Sequence, residues 1–306
     1  MPPPSPPRPR PAATTGATDH PRAAFRTLVA AADLKDLLGR DLEVVLLDCG
    51  FDLADPAAGE RAYDEGHLPG ALYAHLDRDL CGAKTGRNGR HPLPDREAFA
   101  QRCGAWGIGP ATQVVAYDAQ GGPYAARAWW MLRWLGHEAV AVLDGGPAAW
   151  VAAGGPLERQ RRPAHPRAPY PLGATMPTFD TAALLASLGR EGAPRIVDAR
   201  AGERYRGEVE PLDPVAGHIP GAMHRFFKDN LAPDGRFKSA QELRAEYTRL
   251  GLGETAGPAV VHQCGSGVTA CHNLLAMAHA GFADTALYPG SWSEWCADPA
   301  RPVARG

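Results

Sequence analysis

Cys264 begins the run Cys264-Gly265-Ser266-Gly267-Val268-Thr269, and its neighbours decide what a thiol there could do. Upstream, 259–262 is a short aliphatic run of the kind that makes a buried strand; downstream, 270–280 has helical spacing and stops at Gly281. The cysteine therefore falls in a strand-to-helix turn. Two glycines let the backbone curl closely around an atom at the centre of the turn, and successive amide N–H groups at a helix start favour negative charge there. A thiolate or a persulfide is the guest such a cradle suits. The thiolate is the reactive form of cysteine, and a helix N-terminus is one of the settings that lower a thiol's pKa. Cys264 is read as a nucleophile that accepts sulfur.

A similar cradle serves phosphoester hydrolysis by cysteine, but that chemistry needs a Cys-x5-Arg spacing so that a guanidinium can fork onto phosphate oxygens. Here the position is Ala270, and the charge clamp is missing. Cys49, Cys103, Cys271 and Cys296 stand in no glycine-rich turn and read as buried packing residues; with Cys81 they are expected as free thiols. The spacings among His262, Cys264, Cys271 and His272 match no common zinc pattern. No metal is expected.

The elements that must position this turn occur twice. VVLLDCGFDL precedes GHLPGA in the first half, and RIVDARAGERY precedes GHIPGA in the second; QVVAYD at 113–118 then corresponds to PAVVHQC at 258–264, and DGGPAAW at 144–150 to YPGSWSEW at 288–295. Strand-like runs at 44–48, 114–117, 139–143, 195–197, 259–262 and 285–288 alternate with helical patterns, among them 96–106 and 240–250, which are followed by Gly107 and Gly251 as C-terminal caps. This alternation predicts an α/β fold of two tandem domains, each a mainly parallel sheet flanked by helices. Ligand chemistry in such sheets belongs beyond the carboxyl ends of the strands, where the Cys264 turn falls. The expected boundaries are a disordered Pro/Arg-rich tail at 1–22, an N-terminal domain at 23–154, a linker at 155–175 and a C-terminal domain at 176–303.

Charge is nearly balanced, 32 basic against 34 acidic residues, so neither nucleic acid nor a membrane surface is expected as partner. No apolar run approaches the ~20 residues needed to cross a bilayer, and the first residues lack the apolar core of a signal peptide. The expected location is the cytoplasm.

On the paired GH(L/I)PGA segments, Asp198-Ala199-Arg200, YPGSWSEW and CGSGVTA, the chain resembles the two-domain rhodanese family from about residue 23 to 303. The resemblance implies tandem rhodanese domains with the active loop in the C-terminal copy. At the matching N-terminal position stands Asp118. Loops reading CGSGVTA look like those of 3-mercaptopyruvate sulfurtransferases, whereas thiosulfate sulfurtransferases typically carry CRKGVTA, whose basic side chains suit a dianion. Residue by residue, the resemblance implies that Arg204 binds the donor's carboxylate or sulfonate; the chemistry of the loop itself puts Gly265, Gly267, Val268 and Thr269 at the donor site, where amides hold the outer sulfur and the two glycines permit close approach. The resemblance also implies that Ser266 works in a relay with His91 and Asp77 of the N-terminal domain. His67 and His218 occur in both copies although one copy is active, so they read as structural. A second substrate arginine is expected about nine residues after the first by the same resemblance; Asp213 stands there, with Arg206 the nearest basic alternative.

The activity implied is transfer of sulfur from 3-mercaptopyruvate, through a Cys264 persulfide, to cyanide or a thiol acceptor such as a thioredoxin-like protein or a small thiol. No metal or organic cofactor is needed. Two alternatives are a thiosulfate sulfurtransferase and a non-catalytic rhodanese-like scaffold; a lost cysteine or a filled loop would favour the second, and CGSGVTA is intact.

Overall fold

Two parallel sheets carry the chain. In the computed structural model, residues 24–252, 259–283 and 285–306 are described; the expected tail at 1–22 lies outside the described residues. The first sheet is built from β1 (Leu28–Val29), β2 (Val44–Asp48), β3 (Leu72–Tyr73), β4 (Gln113–Tyr117) and β5 (Val140–Leu143) in the order β1-β5-β4-β2-β3. The second holds β6 (Arg195–Asp198), β7 (Met223–His224), β8 (Val260–Gln263) and β9 (Thr285–Leu287) in the order β7-β6-β8-β9, and every pairing in both is parallel. Parallel neighbours require crossovers. The helices that make these crossovers or flank the sheets are α1 (Ala31–Leu38), α2 (Ala58–Glu65), α3 (Leu76–Asp79), α4 (Arg96–Ala105), α5 (Pro123–Trp134) and α6 (Gly146–Ala152), then α7 (Thr181–Ser187), α8 (Gly202–Arg206), α9 (Ala240–Arg249), α10 (Ala270–His279) and α11 (Ser291–Trp295). The α/β architecture is the expected one. Gly107, Gly251 and Gly281 sit just past α4, α9 and α10 at φ of 80°, 71° and 80°, the left-handed geometry that ends a helix.

Of the central strands, β4, β5 and β8 are buried along their whole length, which is why they read as continuous apolar runs rather than alternating ones. The helices that follow β4 and β8, α5 and α10, pack on each other and join the two units through one continuous apolar core that includes Trp130, Met131, Leu274 and Leu275. Truncating the fully buried Trp130 in that shared core is expected to cost about 3–5 kcal/mol. The stretch after α6 is strapped to the first unit: the amides of Arg167, Tyr170 and Gly173 donate to the carbonyls of Gly104, Ala100 and Leu135. Among the described residues, no helix is long and apolar enough to cross a membrane.

His262 on β8 shows the cost of this packing. It is fully buried, its Nδ1 has no hydrogen-bond partner among the described residues, its Nε2 lies 3.1 Å from Met277 Sδ, and burial pushes its pKa from 6.5 down to about 3. Between those values the unfolded chain binds the proton and the folded chain does not, so this group makes stability rise with pH. Replacing His262 with Leu removes that dependence. The variant is expected to gain stability relative to the parent as pH falls from 6.5 towards 3, by up to about 1.4 kcal/mol per pH unit. Urea melts at two pH values check this; parallel losses in both proteins would refute it.

Candidate active site

Cys264 directly follows β8 and is 1% exposed. Its Sγ accepts from the Gly267 amide at 3.2 Å and the Ser266 amide at 3.5 Å, so the turn does aim backbone N–H groups at the sulfur. What turns those amides inward is α11. The Trp292 amide donates to the Cys264 carbonyl and the Ser293 amide to the Gly265 carbonyl, drawing the loop's carbonyls to the opposite side. Ser291 completes the arrangement at φ 54°, unusual for a residue with a side chain, and its Oγ accepts from the Cys264 amide at 3.1 Å while donating to the Tyr288 carbonyl. Gly267 has φ 78°, and a side chain there would strike the Pro289 carbonyl oxygen. The repeated motif YPGSWSEW thus shapes the loop from behind.

Val268 buries its side chain in the core, and its carbonyl accepts from the Cys271 amide as α10 begins; Thr269 is the residue before that helix, and its carbonyl accepts from the His272 amide. All six cysteines are free and buried. Burial raises the thiols of Cys81 and Cys296 to about 11 and that of Cys271 to about 12, and also pushes up Cys49 and Cys103. Those five are held as neutral thiols.

The N-terminal unit supplies the facing wall. His91 Nδ1 lies 2.7 Å from Ser266 Oγ, across 175 residues of sequence. Its Nε2 stands 3.7 Å from Asp77 Oδ1, an ion-pair separation too long for a hydrogen bond, and Lys84 Nζ holds that same oxygen at 2.8 Å. With the carboxylate facing Nε2, the ring proton belongs on Nε2 and Nδ1 accepts the serine hydroxyl. Burial lowers the His91 pKa to about 3, so the resting ring is neutral. Arg127 of α5 ties the walls together: fully buried, it donates to the carbonyls of Gly267 at 3.1 Å and His91 at 3.1 Å. Sequence reasoning passed over it. The available signal was an arginine within the apolar helical run PYAARAWWMLRW.

Arg204 of α8 lies beside the loop, paired with Glu210 at 2.7 Å and Asp213 at 3.3 Å. Arg206 is turned away at the surface against Glu208. Asp213 also pairs with Arg90 of the N-terminal unit, a residue the sequence reading did not single out. Arg200 forks onto Asp198 and stacks over Trp292, so the Asp-x-Arg motif anchors the end of β6 to α11. His67 and His218 each stack on a tyrosine at 3.9 Å, Tyr63 and Tyr205, and each contacts that tyrosine's carbonyl through Nδ1.

The equivalent loop after β4 is filled. The carboxylate of Asp118 accepts from four backbone amides, those of Gln120, Gly122, Tyr124 and Ala125, at 2.8–2.9 Å. Where His91 faces the C-terminal loop, Phe237 faces this one, 3.4 Å from where a side chain on Gly122 would begin.

A family model described as a rhodanese-like domain matches the chain twice, at residues 30–153 and 181–298. A protein of Pseudomonas aeruginosa named a probable 3-mercaptopyruvate sulfurtransferase is 49% identical over 266 residues, 86% of this chain and 93% of that one. The 3-mercaptopyruvate sulfurtransferase of Homo sapiens is 39% identical over 285 residues, 88% of this chain and 92% of that one. Thiosulfate sulfurtransferases of Gallus gallus and Mus musculus also match, at 33% and 36% identity. Among solved structures, the 3-mercaptopyruvate sulfurtransferase from Leishmania major superposes with a TM-score of 0.75 at 30% identity, covering 88% of this chain and 74% of that one. With two matched copies and relatives aligned over most of their length, the chain belongs to the rhodanese family of sulfurtransferases.

Proposed function

We propose that this protein moves sulfur from 3-mercaptopyruvate to a thiol acceptor through a persulfide on Cys264, with 176–303 as the active copy and 23–154 as the silent one. The observation that carries the reading is the pairing of two features at one place. The Cys264 sulfur faces the amides of Ser266 and Gly267, and the Ser266 hydroxyl touches a neutral imidazole from the other domain.

In the first half-reaction the thiolate attacks the donor's sulfur. The new Sγ–S bond forms as the donor's C–S bond breaks, and its electron pair passes into the enolate of pyruvate. The outer sulfur's proton moves through Ser266 to His91 Nδ1, where the carboxylate of Asp77 steadies the imidazolium, and returns by the same route to the enolate. A neutral resting His91 is the state this route requires. Amides already directed at Sγ then hold the charged outer sulfur, as the four amides of the silent loop hold the carboxylate of Asp118. In the second half-reaction the acceptor's thiolate attacks the outer sulfur and Cys264 leaves as thiolate. A thioredoxin-like protein or a small thiol fits this step, and both belong to a reducing compartment such as the cytoplasm.

Comparing kcat/KM for 3-mercaptopyruvate and thiosulfate, with cyanide as common acceptor, tests the donor. At least about tenfold preference for 3-mercaptopyruvate, equivalent to about 1.4 kcal/mol in transition-state stabilisation, is expected. Preference for thiosulfate would overturn the choice of donor, and absence of both turnovers would overturn the activity.

A further inference from the structure

Three guanidinium groups and three carboxylates meet beside the Cys264 loop. Arg200 pairs with Asp198 and, at 3.4 Å, with Glu210; the side chains of Arg200 and Asp198 are at most 1% exposed. Glu210 and Asp213 are buried behind the other two arginines, their side chains 3% and 4% exposed, while Arg204 and Arg90 reach outward at 17% and 28%. Both outward guanidiniums converge on one spot: a Cβ on Gly265 would lie 2.9 Å from Arg90 Nη2 and 3.4 and 3.5 Å from the two terminal nitrogens of Arg204. Gly265 is the residue next to the nucleophile. An anionic group attached to a sulfur donor within reach of Cys264 meets positive charge from both domains at this spot.

We propose that Arg90 is the second guanidinium of the donor-anion site, paired across the domain boundary with Arg204, and that Asp213 sets how much donor charge the site accepts. This rests on the sulfurtransferase reading above. Asp213 bridges the two forks, contacting Arg90 through Oδ1 and Arg204 through Oδ2. With it ionised, Arg90, Arg200 and Arg204 are balanced by Asp198, Glu210 and Asp213. A single carboxylate on the donor binds by fork geometry with little net charge to draw it, and a dianion gains nothing from its second charge. Burial, with Glu210 beside it, raises the Asp213 pKa, and the two arginines oppose that shift. Position 213 thus does not leave the anion site one arginine short. The second arginine comes from residue 90 of the other domain.

Calorimetry on the Cys264→Ser protein separates the proposal from turnover, with pyruvate as the monoanion probe and sulfate as the dianion. Arg90→Ala is expected to weaken both probes by about tenfold or more, the loss of a charge-assisted hydrogen bond, and Arg90→Lys to restore part of it. Asp213→Asn is expected to tighten sulfate more than pyruvate. In the enzyme with Cys264 intact, Arg90→Ala should raise KM with kcat nearly unchanged, a split that loss of folding would not produce. The Arg90 amide, which donates to Ser293 Oγ at 3.0 Å, is untouched by the substitution. Unchanged affinity for both probes in Arg90→Ala, or equal effects of Asp213→Asn on both, would overturn the proposal. If neither donor turns over, the activity fails while the calorimetry still reads the anion site.

Discussion

Cys264→Ser is expected to reduce sulfur transfer from either donor to background, a loss of roughly 10⁴-fold or more. Mass spectrometry should find one added sulfur on the parent protein after donor treatment and none on the variant. The fold should survive, because the two amides that face Sγ would face a hydroxyl oxygen equally well. Cys103→Ser is the contrast. That thiol is fully buried in the apolar core and held neutral, so a hydroxyl there is expected to cost about 1–3 kcal/mol of stability in urea melts while turnover per folded molecule stays near the parent's. Turnover by pure Cys264→Ser would remove the nucleophile from the proposal. Equal loss in Cys103→Ser would mean that the assay reads folding.

The different settings of these two thiols were legible in the sequence because a glycine-rich turn after an aliphatic run has few structural alternatives. The long buried strands were legible for the same reason: β4 and β8 are covered on both faces and read as continuous apolar segments. The edge strands β1, β3 and β7 have two residues each, too few for any period to register. Arg127 and Arg90 were missed for a different reason. Each acts across the domain boundary, and spacing along one segment carries no information about a side chain arriving from the other unit. Asp213 shows the consequence. Read along the sequence it is a missing arginine; in the fold it is the carboxylate that receives one from the partner domain. The resemblance named His91 and Ser266, and the structure brings them to 2.7 Å. Kinetics with the two donors tests their roles in the chemistry.

That test follows from the leaving groups. Departure of pyruvate's enolate leaves a carbon that must take a proton, whereas departure of sulfite from thiosulfate needs none. If the Ser266 and His91 pair carries that proton, His91→Phe should lower kcat with 3-mercaptopyruvate by about 10²–10⁴-fold and leave the thiosulfate reaction within a few-fold of the parent. Phenylalanine is the residue at position 237 that faces the loop after β4, so the substitution gives the Cys264 loop the apolar wall of its N-terminal counterpart. KM should move little, because Arg90 and Arg204 remain in place. His91→Asn, smaller and polar but without a base, should show the same selective loss, which separates lost proton transfer from a displaced loop. A structural role would instead depress both donors together, since the carbonyl of His91 is tied through Arg127 to the carbonyl of Gly267 and a shifted wall would disturb the Cys264 cradle itself. Equal losses for the two donors, or 3-mercaptopyruvate turnover within about threefold of the parent in both variants, would therefore end the relay as an account of this site.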